Sequence, residues 1–226
     1  MTSTADRSEV VRIPVSTTSS ACIELECDWG VGIGGSLWTS GRLLVDYMAR
    51  NTHEQKDLVG RTVLELGSGT GLVGLAMAHM GPSRVIVTDL DTHVASMERN
   101  LERNASLFPS ATKVEVVALD WTTFTAADAN ALKPVDLIVG TDIAYLPEFY
   151  EPLRRTLELL VNPSSTRILL GLGRHDTDMR FFRMLVDAGY EYYKISDDLV
   201  GPEYRGKDFG LFDIRKAGAF DDSTSH

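Results

Sequence analysis

The chain has 226 residues, a formal net charge of −10 and 43% hydrophobic residues, which is the composition of an ordinary globular protein. This length favours one domain. The acidic balance argues against nucleic acid as the main partner, because phosphate binding requires a basic face. No run approaches the roughly 18 apolar residues of a membrane span, so we expect no membrane partner.

The chain has only two cysteines, Cys22 and Cys27, and five histidines without metal-ligand spacing. Two cysteines are too few for a zinc site, so we expect no metal. Reduced thiols and the lack of a signal-peptide core favour the cytoplasm, with the nucleus as the alternative. Because no heptad or long apolar edge is evident, we expect a monomer.

The N-terminal part predicts an extension before the main domain. Residues 1–19 are rich in Ser and Thr without periodicity, and we expect a disordered arm. Residues 21–27 alternate between apolar and polar, as in a half-buried strand. The glycine-rich residues 28–35 predict a turn and a second short strand, and residues 41–51 predict a helix. A β-hairpin and a helix therefore make up the extension, residues 20–58.

Strands and helices alternate beyond this extension. The predicted strands cover residues 62–66, 84–88, 114–119, 135–140, 167–172, 190–195 and 210–214. Alternation predicts an α/β fold: a Rossmann-like, three-layer, seven-stranded and mostly parallel sheet. The last two strands are joined without a helix, which predicts an antiparallel last strand. We expect one domain over residues 20–216 and a disordered tail at 217–226.

A glycine-rich turn follows strand 62–66 and opens a helix. Gly67, Gly69 and Gly71 have no Cβ, so the backbone can adopt positive φ and approach a ligand closely. Glu65 stands at the end of the strand. This combination predicts a pocket for an adenosine-bearing cofactor. The alternative is a tight strand-to-helix turn that binds nothing.

Two cofactors compete for this turn. Gly69, Gly71 and Gly74 match the dinucleotide fingerprint, with Asp89 at the expected distance downstream. S-adenosylmethionine (SAM) instead has amino and carboxylate ends, which need one anionic partner and several backbone donors. Glu65 and the turn would supply both. An anion beside a pyrophosphate is repulsive, so Glu65 favours SAM.

Ligands of such sheets bind at the carboxyl ends of the strands. Gly67, Asp89, Trp121 and Asp142 each follow a separate predicted strand, so we expect them to form one site. We expect Asp89 to accept hydrogen bonds from both ribose hydroxyls, and its alternative role is a helix cap.

Three further groups are candidates for this site. Asp120 would accept from the adenine amino group and Trp121 would cover the ring face; the alternative is a capping aspartate beside a core tryptophan. Asp142 and Tyr145 would together hold an amine near a methyl donor. The alternative is that Asp142 caps a helix and Tyr145 is a packing residue. Trp38 either walls the pocket or packs on the sheet.

Five motifs in chain order carry a family resemblance. They are Leu37-Trp38, Glu65-Leu66-Gly67-Ser68-Gly69-Thr70-Gly71, Thr88-Asp89, Leu119-Asp120-Trp121 and Asp142-Ile143-Ala144-Tyr145. With them the chain resembles the seven-strand SAM-dependent methyltransferases. More narrowly, it resembles the family-16 protein-lysine methyltransferases, the methyltransferase-like 21 group and its fungal and plant relatives.

The resemblance implies a role for each matching residue. The residues implied to line the SAM pocket are Trp38, Gly67, Ser68, Gly69, Asp89, Trp121 and Thr141. Asp142 and Tyr145 are implied to position the target lysine of a non-histone protein, such as a chaperone or translation factor. The resemblance also implies that the two halves of the sheet meet beside its first strand. The long polar loop between Arg50 and Arg61 departs from the pattern, and we expect it to influence substrate choice.

Three other functions remain open at this point. The first is methylation of a small molecule or of a side chain other than lysine. The second is a nicotinamide-dependent oxidoreductase that uses the glycine motif. The third is a non-enzymatic protein of the same fold that docks on a partner.

Overall fold

The computed structural model describes residues 8–28, 30 and 32–218. An N-terminal antiparallel hairpin and two helices come first: β1 (Ser8–Pro14), β2 (Cys22–Asp28), α1 (Thr39–Arg50) and α2 (Thr52–Leu58). The seven strands of the main sheet are β3 (Thr62–Leu66), β4 (Arg84–Asp89), β5 (Lys113–Ala118), β6 (Leu137–Thr141), β7 (Arg167–Gly173), β8 (Tyr190–Lys194) and β9 (Phe209–Lys216). Its helices are α3 (Leu72–His79), α4 (Asp91–Asn104), α5 (Ala126–Leu132), α6 (Tyr150–Leu160) and α7 (Met179–Asp187).

The strand order in the main sheet is β5-β4-β3-β6-β7-β9-β8. The first five of these strands are parallel, and β9 runs antiparallel to both of its neighbours. The predicted mostly parallel, seven-stranded sheet with an antiparallel last strand is confirmed. The chain reverses its direction of travel across the sheet between β3 and β6. The carboxyl ends of these two strands therefore form the topological switch point.

Alternate residues of each central strand pack into two separate cores, one on each face of the sheet. Val63 of β3 packs in the core that includes α1, α3 and α4. The neighbouring Leu64 packs in the core that includes α5, α6 and α7. The protein is thus built in three layers, as predicted. No helix in the described part of the chain has the length and apolar character needed to cross a bilayer.

The hairpin docks on α4 through side-chain amides. Asn104 accepts a hydrogen bond from Glu24 N at 2.8 Å and donates one to Glu24 O at 2.7 Å. Asn100, one turn earlier, bonds Glu26 N and Glu26 O at 2.7 and 3.1 Å. Both asparagines are fully buried. Their amides satisfy the free edge of β2 as a neighbouring strand would.

The N-terminal predictions need two corrections. Residues 8–14 of the expected arm form β1, which pairs with β2 along its full length. Most side chains of β1 remain at least partly exposed. The strand is therefore formed by backbone pairing with β2, and its sequence has no apolar alternation from which it could be predicted. The expected second strand within residues 28–35 is absent from its described part, where Ile33–Gly35 form a 3-10 turn. Residues 1–7, 29, 31 and 219–226 lie outside the described residues, including most of the expected tail.

Two helices were not predicted. The polar segment expected to be a loop between Arg50 and Arg61 contains α2, whose only buried residue is Leu58. The segment before β6 contains α5, which a capping box between Thr125 and Asp128 begins. Both helices have seven residues and offer little helical periodicity. The other predicted elements differ from the observed ones only in their ends.

Candidate active site

A cavity of about 340 Å³ opens at the carboxyl ends of the five parallel strands, β3 to β7. This volume is in the range of small-molecule binding sites. The segment before α1 forms one wall, and the turns after the five strands form the others. The polar and aromatic lining residues are Ser36, Trp38, Glu65, Ser68, Thr70, Asp89, His93, Asp120, Trp121, Thr122, Thr141, Asp142, Tyr145, Phe149 and Asp176.

The glycine turn passes too close to its neighbours for side chains. Gly67 has φ 62°, and a Cβ there would lie 2.7 Å from Ile143 Cγ2 and 3.4 Å from Trp121 Cζ2. Gly69 has φ 55°, and its Cβ would lie 2.6 Å from the carbonyl oxygen of Gly34. Ser68 fixes the turn to β4, because its amide donates to Thr88 O at 2.9 Å. The turn is therefore a backbone surface shaped for close approach.

Glu65 is buried at the end of β3 and satisfies the first turn of α3. Its Oε2 accepts a hydrogen bond from Gly74 N at 2.8 Å. Burial raises the pKa of Glu65 to about 8, although the bond from Gly74 favours the ionised form. The carboxyl group occupies the helix N-terminus where a pyrophosphate would bind. Because Glu65 already accepts from Gly74 N at the start of α3, the arrangement disfavours the dinucleotide interpretation of the glycine motif.

Asp89 joins the glycine turn to the end of β4. Its Oδ2 accepts from Gly69 N at 2.7 Å and its Oδ1 from Leu90 N at 2.7 Å. The residue at the N-cap of α4 is Leu90, and no side chain caps this helix. The alternative role of Asp89 as a helix cap is thus wrong. The carboxylate holds the turn and faces the cavity.

Asp120 and Trp121 form the next wall, after β5. One oxygen of Asp120 accepts from the amide and hydroxyl of Thr122, at 2.8 and 2.7 Å. The half-buried indole of Trp121 lies beside Gly67. The pair therefore presents a carboxylate and an aromatic ring next to the glycine turn.

Asp142 follows β6 in an unusual backbone conformation. Its φ is +54°, the one positive φ among the described residues other than glycine, and such strain is characteristic of functional sites. Its amide donates to Gly171 O on β7 at 2.8 Å, and its Oδ1 accepts from Ser40 Oγ at 2.8 Å. Burial raises the pKa of Asp142, and the bond from Ser40 opposes this effect. The strained turn aims a partly desolvated carboxylate at the cavity.

Two aromatic side chains stand at the mouth of the cavity. Trp38 directly precedes α1, is 50% exposed and donates from Nε1 to Ile33 O at 3.2 Å. Tyr145, three residues after Asp142, is 41% exposed. Both rings line the cavity, so the alternatives of purely internal packing for Trp38 and Tyr145 are wrong.

The structure brings all but one of the candidate residues to this cavity. The exception is Gly71, which caps α3 at φ 83° and whose Cβ would meet only Leu75 and Val87, at 3.6 Å. Sequence reasoning missed His93, Phe149 and Asp176. Asp176 had a usable signal, because it is the first acidic residue of the loop after β7, three residues beyond the strand end. His93 and Phe149 are brought to the cavity by tertiary packing.

The chain matches known proteins in sequence and in fold. A family model described as lysine methyltransferase matches residues 17–188. The protein N-lysine methyltransferase METTL21A of Danio rerio is 31% identical over 170 residues, which cover 75% of each chain. The EEF1A lysine methyltransferase 3 of Xenopus tropicalis is 32% identical over 157 residues, covering 68% of this chain and 64% of that protein.

A solved structure shows the same fold at low identity. The T. thermophilus 16S rRNA N2 G1207 methyltransferase, in complex with AdoMet and guanosine, superimposes with a TM-score of 0.62. The match covers 93% of this chain and 50% of that chain at 19% identity. At this identity the likeness concerns the fold alone.

Proposed function

The chain belongs to the lysine methyltransferase family, whose members use SAM, and we propose that it methylates a lysine ε-amine of one non-histone protein. A translation factor or a chaperone is the proposed class of substrate. The name of the Xenopus relative, an EEF1A lysine methyltransferase, supports the translation-factor class. Cytoplasmic or nuclear location and a monomeric state are parts of the same proposal. The free thiols of Cys22 and Cys27 agree with a reducing compartment.

The cavity fits SAM by the chemistry of its walls. Because Gly67 and Gly69 lack Cβ atoms, the glycine turn packs directly against Ile143 and Gly34 and presents its backbone to the cavity. Glu65 and Asp89 place carboxyl groups beside the turn. We assign the cofactor to the residues that surround this part of the cavity: Trp38, Glu65, Gly67, Ser68, Gly69, Asp89, Asp120, Trp121 and Thr141. Gly71 supports the turn from behind.

One observation carries the proposal: the cofactor walls and an amine-binding group share one cavity. Asp142 and Tyr145 line the same cavity as Asp89 and Trp121. No lysine or arginine is present among the described residues that line it. A cavity lined by carboxylates and aromatic rings suits a cationic or amine substrate.

The residues of the chain contribute binding, orientation and exclusion of water. When bound, SAM supplies a methyl carbon on positively charged sulfur, an electrophile that a neutral amine attacks with release of S-adenosylhomocysteine. Lysine has a reference pKa of about 10.4, so its ammonium must lose a proton to water beforehand. Asp142 accepts an N–H hydrogen bond and fixes the direction of the nitrogen lone pair. Tyr145 and Phe149 shield the amine, and alignment of this kind is worth several kcal/mol.

The test is transfer of label from tritiated SAM into the proteins of a cell lysate, followed by mass mapping of the labelled product. The proposal predicts one or a few labelled bands whose modification maps to lysine. Label only in small molecules, or on another side chain, would contradict it.

A further inference from the structure

Asp176 lies at the cavity on the strand next to that of Asp142. It follows β7 by three residues, and its side chain folds back over the end of that strand. A Cβ on Gly173 would lie 2.6 Å from Asp176 Oδ2 and 3.5 Å from its Cγ. The glycine therefore leaves the space that this carboxylate occupies. Asp176 lines the cavity together with Asp142, Tyr145 and Phe149.

The carboxyl groups of the cavity differ in their hydrogen-bond partners. Four have a donor within the protein: Glu65, Asp89, Asp120 and Asp142. For Asp176, the structure shows no hydrogen bond or ion pair with any described residue. The neighbouring His175 contacts a different carboxylate, with Nε2 3.4 Å from Asp208 Oδ2. Asp176 is the carboxylate of the cavity that remains free to bind a ligand.

Asp142 and Asp176 are close enough to influence each other. Burial is the main cause of the raised pKa of Asp142, and the negative charge of Asp176 raises this pKa further. Two like charges that share a site repel each other. No lysine or arginine among the described lining residues offsets that repulsion. A cation that enters between the two groups would relieve it.

We propose that Asp176 is a substrate-binding residue that, together with Asp142, holds the ammonium form of the target lysine before it loses its proton. This inference rests on the proposed function and assigns a further residue to it. Asp176 is exposed at the mouth, whereas Asp142 is half-buried. Asp176 therefore acts on the arriving ammonium, and Asp142 holds the amine in place. The pair selects a cationic side chain over a neutral one of equal length.

The experiment measures binding of a lysine side-chain mimic to the full chain saturated with S-adenosylhomocysteine. The probes are n-butylammonium and 1-butanol, a neutral molecule of the same length, titrated by NMR. The variants are Asp176→Asn and Asp176→Glu. The control is Asp198→Asn, which makes the same charge change at an exposed site that does not line the cavity.

Asp176→Asn should weaken n-butylammonium binding roughly five- to tenfold, a moderate effect because water screens an exposed pair. Binding of 1-butanol should not change, Asp176→Glu should restore most of the affinity for the cation, and Asp198→Asn should match the wild type. Equal binding of n-butylammonium by the wild type and Asp176→Asn would overturn the proposal. Failure of the wild type to bind this probe would also overturn it.

The proposed function is tested separately by transfer of label from SAM. A wild-type protein that labels lysine, with the Asp176→Asn variant unchanged in KM for the labelled protein, contradicts the role of Asp176 alone. A wild-type protein that labels no lysine contradicts the proposed function. In the supporting case, Asp176→Asn raises KM more than it lowers kcat, which loss of the fold would not do.

Discussion

Asn100 of α4 donates a hydrogen bond from Nδ2 to the carbonyl oxygen of Thr70 in the glycine turn, at 2.9 Å. The same amide group holds Glu26 of the N-terminal hairpin. One buried side chain thus connects the hairpin, α4 and the cofactor turn.

Asn100→Ala should lower both stability and SAM affinity. The substitution leaves Thr70 O and the two backbone groups of Glu26 without their partner, at a cost of about 2–4 kcal/mol. Asn104→Ala is the matched control, since Asn104 binds Glu24 but makes no bond to the turn. Urea unfolding should show a loss in both variants, whereas calorimetry should show weaker SAM binding only for Asn100→Ala. Equal SAM affinity in the two variants would contradict this role.

Gly67→Ala should weaken SAM binding at least tenfold. The new Cβ would lie 2.7 Å from Ile143 Cγ2 in a backbone conformation with positive φ, so the turn has to move. Gly60→Ala is the control, because Gly60 also has positive φ but nothing lies within 4 Å of its Cβ position. It should cost only about 1–2 kcal/mol of stability. Calorimetric titration compares the SAM affinities of Gly67→Ala and Gly60→Ala. Equal affinities would show that the glycine turn accommodates the new side chain, which would contradict the prediction.

SAM binding should release a proton below about pH 8. Burial raises the pKa of Glu65 to about 8, so the free protein holds this group neutral at pH 7. The amino group and sulfonium of SAM favour the ionised form, and the pKa must fall on binding. Affinity should therefore increase as pH rises from 6 to 7, where the amino group of SAM keeps its charge. Calorimetric titrations at pH 7 in two buffers of different ionisation enthalpy would give different binding enthalpies if a proton is released. Glu65→Gln should abolish this difference in binding enthalpy.

Arg167→Met should be among the most destabilising changes outside the cavity. Arg167 donates to Glu54 Oε1 on α2 at 3.1 Å and to Asp213 Oδ2 on β9 at 2.8 Å. Burial opposes ionisation of Glu54, but the bonds and charge of Arg167 bring its pKa below the ordinary value. Removal of the arginine takes the cation from Glu54, which keeps the hydroxyl of Tyr47, and leaves Asp213 with Arg215 alone of its two arginines. The expected cost is about 3 kcal/mol.

The control for Arg167 is Arg61→Met, which breaks a more exposed pair with Asp136 at 3.4 Å. That change should cost less than about 1 kcal/mol. Urea unfolding of the two variants compares the buried and the exposed pair. Equal losses would show that the contacts of Arg167 contribute nothing beyond a surface ion pair.

The Arg167 network also explains why α2 could not be predicted. The partner of Glu54 is 113 positions away in sequence, so the contact that holds the helix is invisible in the local pattern. β1 is a similar case, because its pairing with β2 uses backbone groups and little apolar surface. The main sheet was predictable because its strands are apolar runs between helices.

The candidate site could be predicted because the end of each parallel strand is visible in the sequence. Glu65, Asp89 and Asp142 each lie at or directly after the carboxyl end of an apolar strand, and the ends of parallel strands meet at one edge of the sheet. The same rule applied to β7 finds Asp176. His93 reaches the cavity because α4 packs close to Gly34. A Cβ added to Gly34 would lie only 2.7 Å from His93 Nε2. The sequence around His93 gives no indication of its contact with Gly34.

The most direct test of the account is to separate cofactor binding from methyl transfer with Asp142→Asn. Asparagine tolerates the positive φ of this position and keeps the size of the side chain, but it removes the negative charge that holds the amine. The account predicts unchanged SAM affinity by calorimetry and a loss of at least a hundredfold in tritium transfer to the labelled lysine. Transfer at the wild-type rate by a folded Asp142→Asn protein would contradict it.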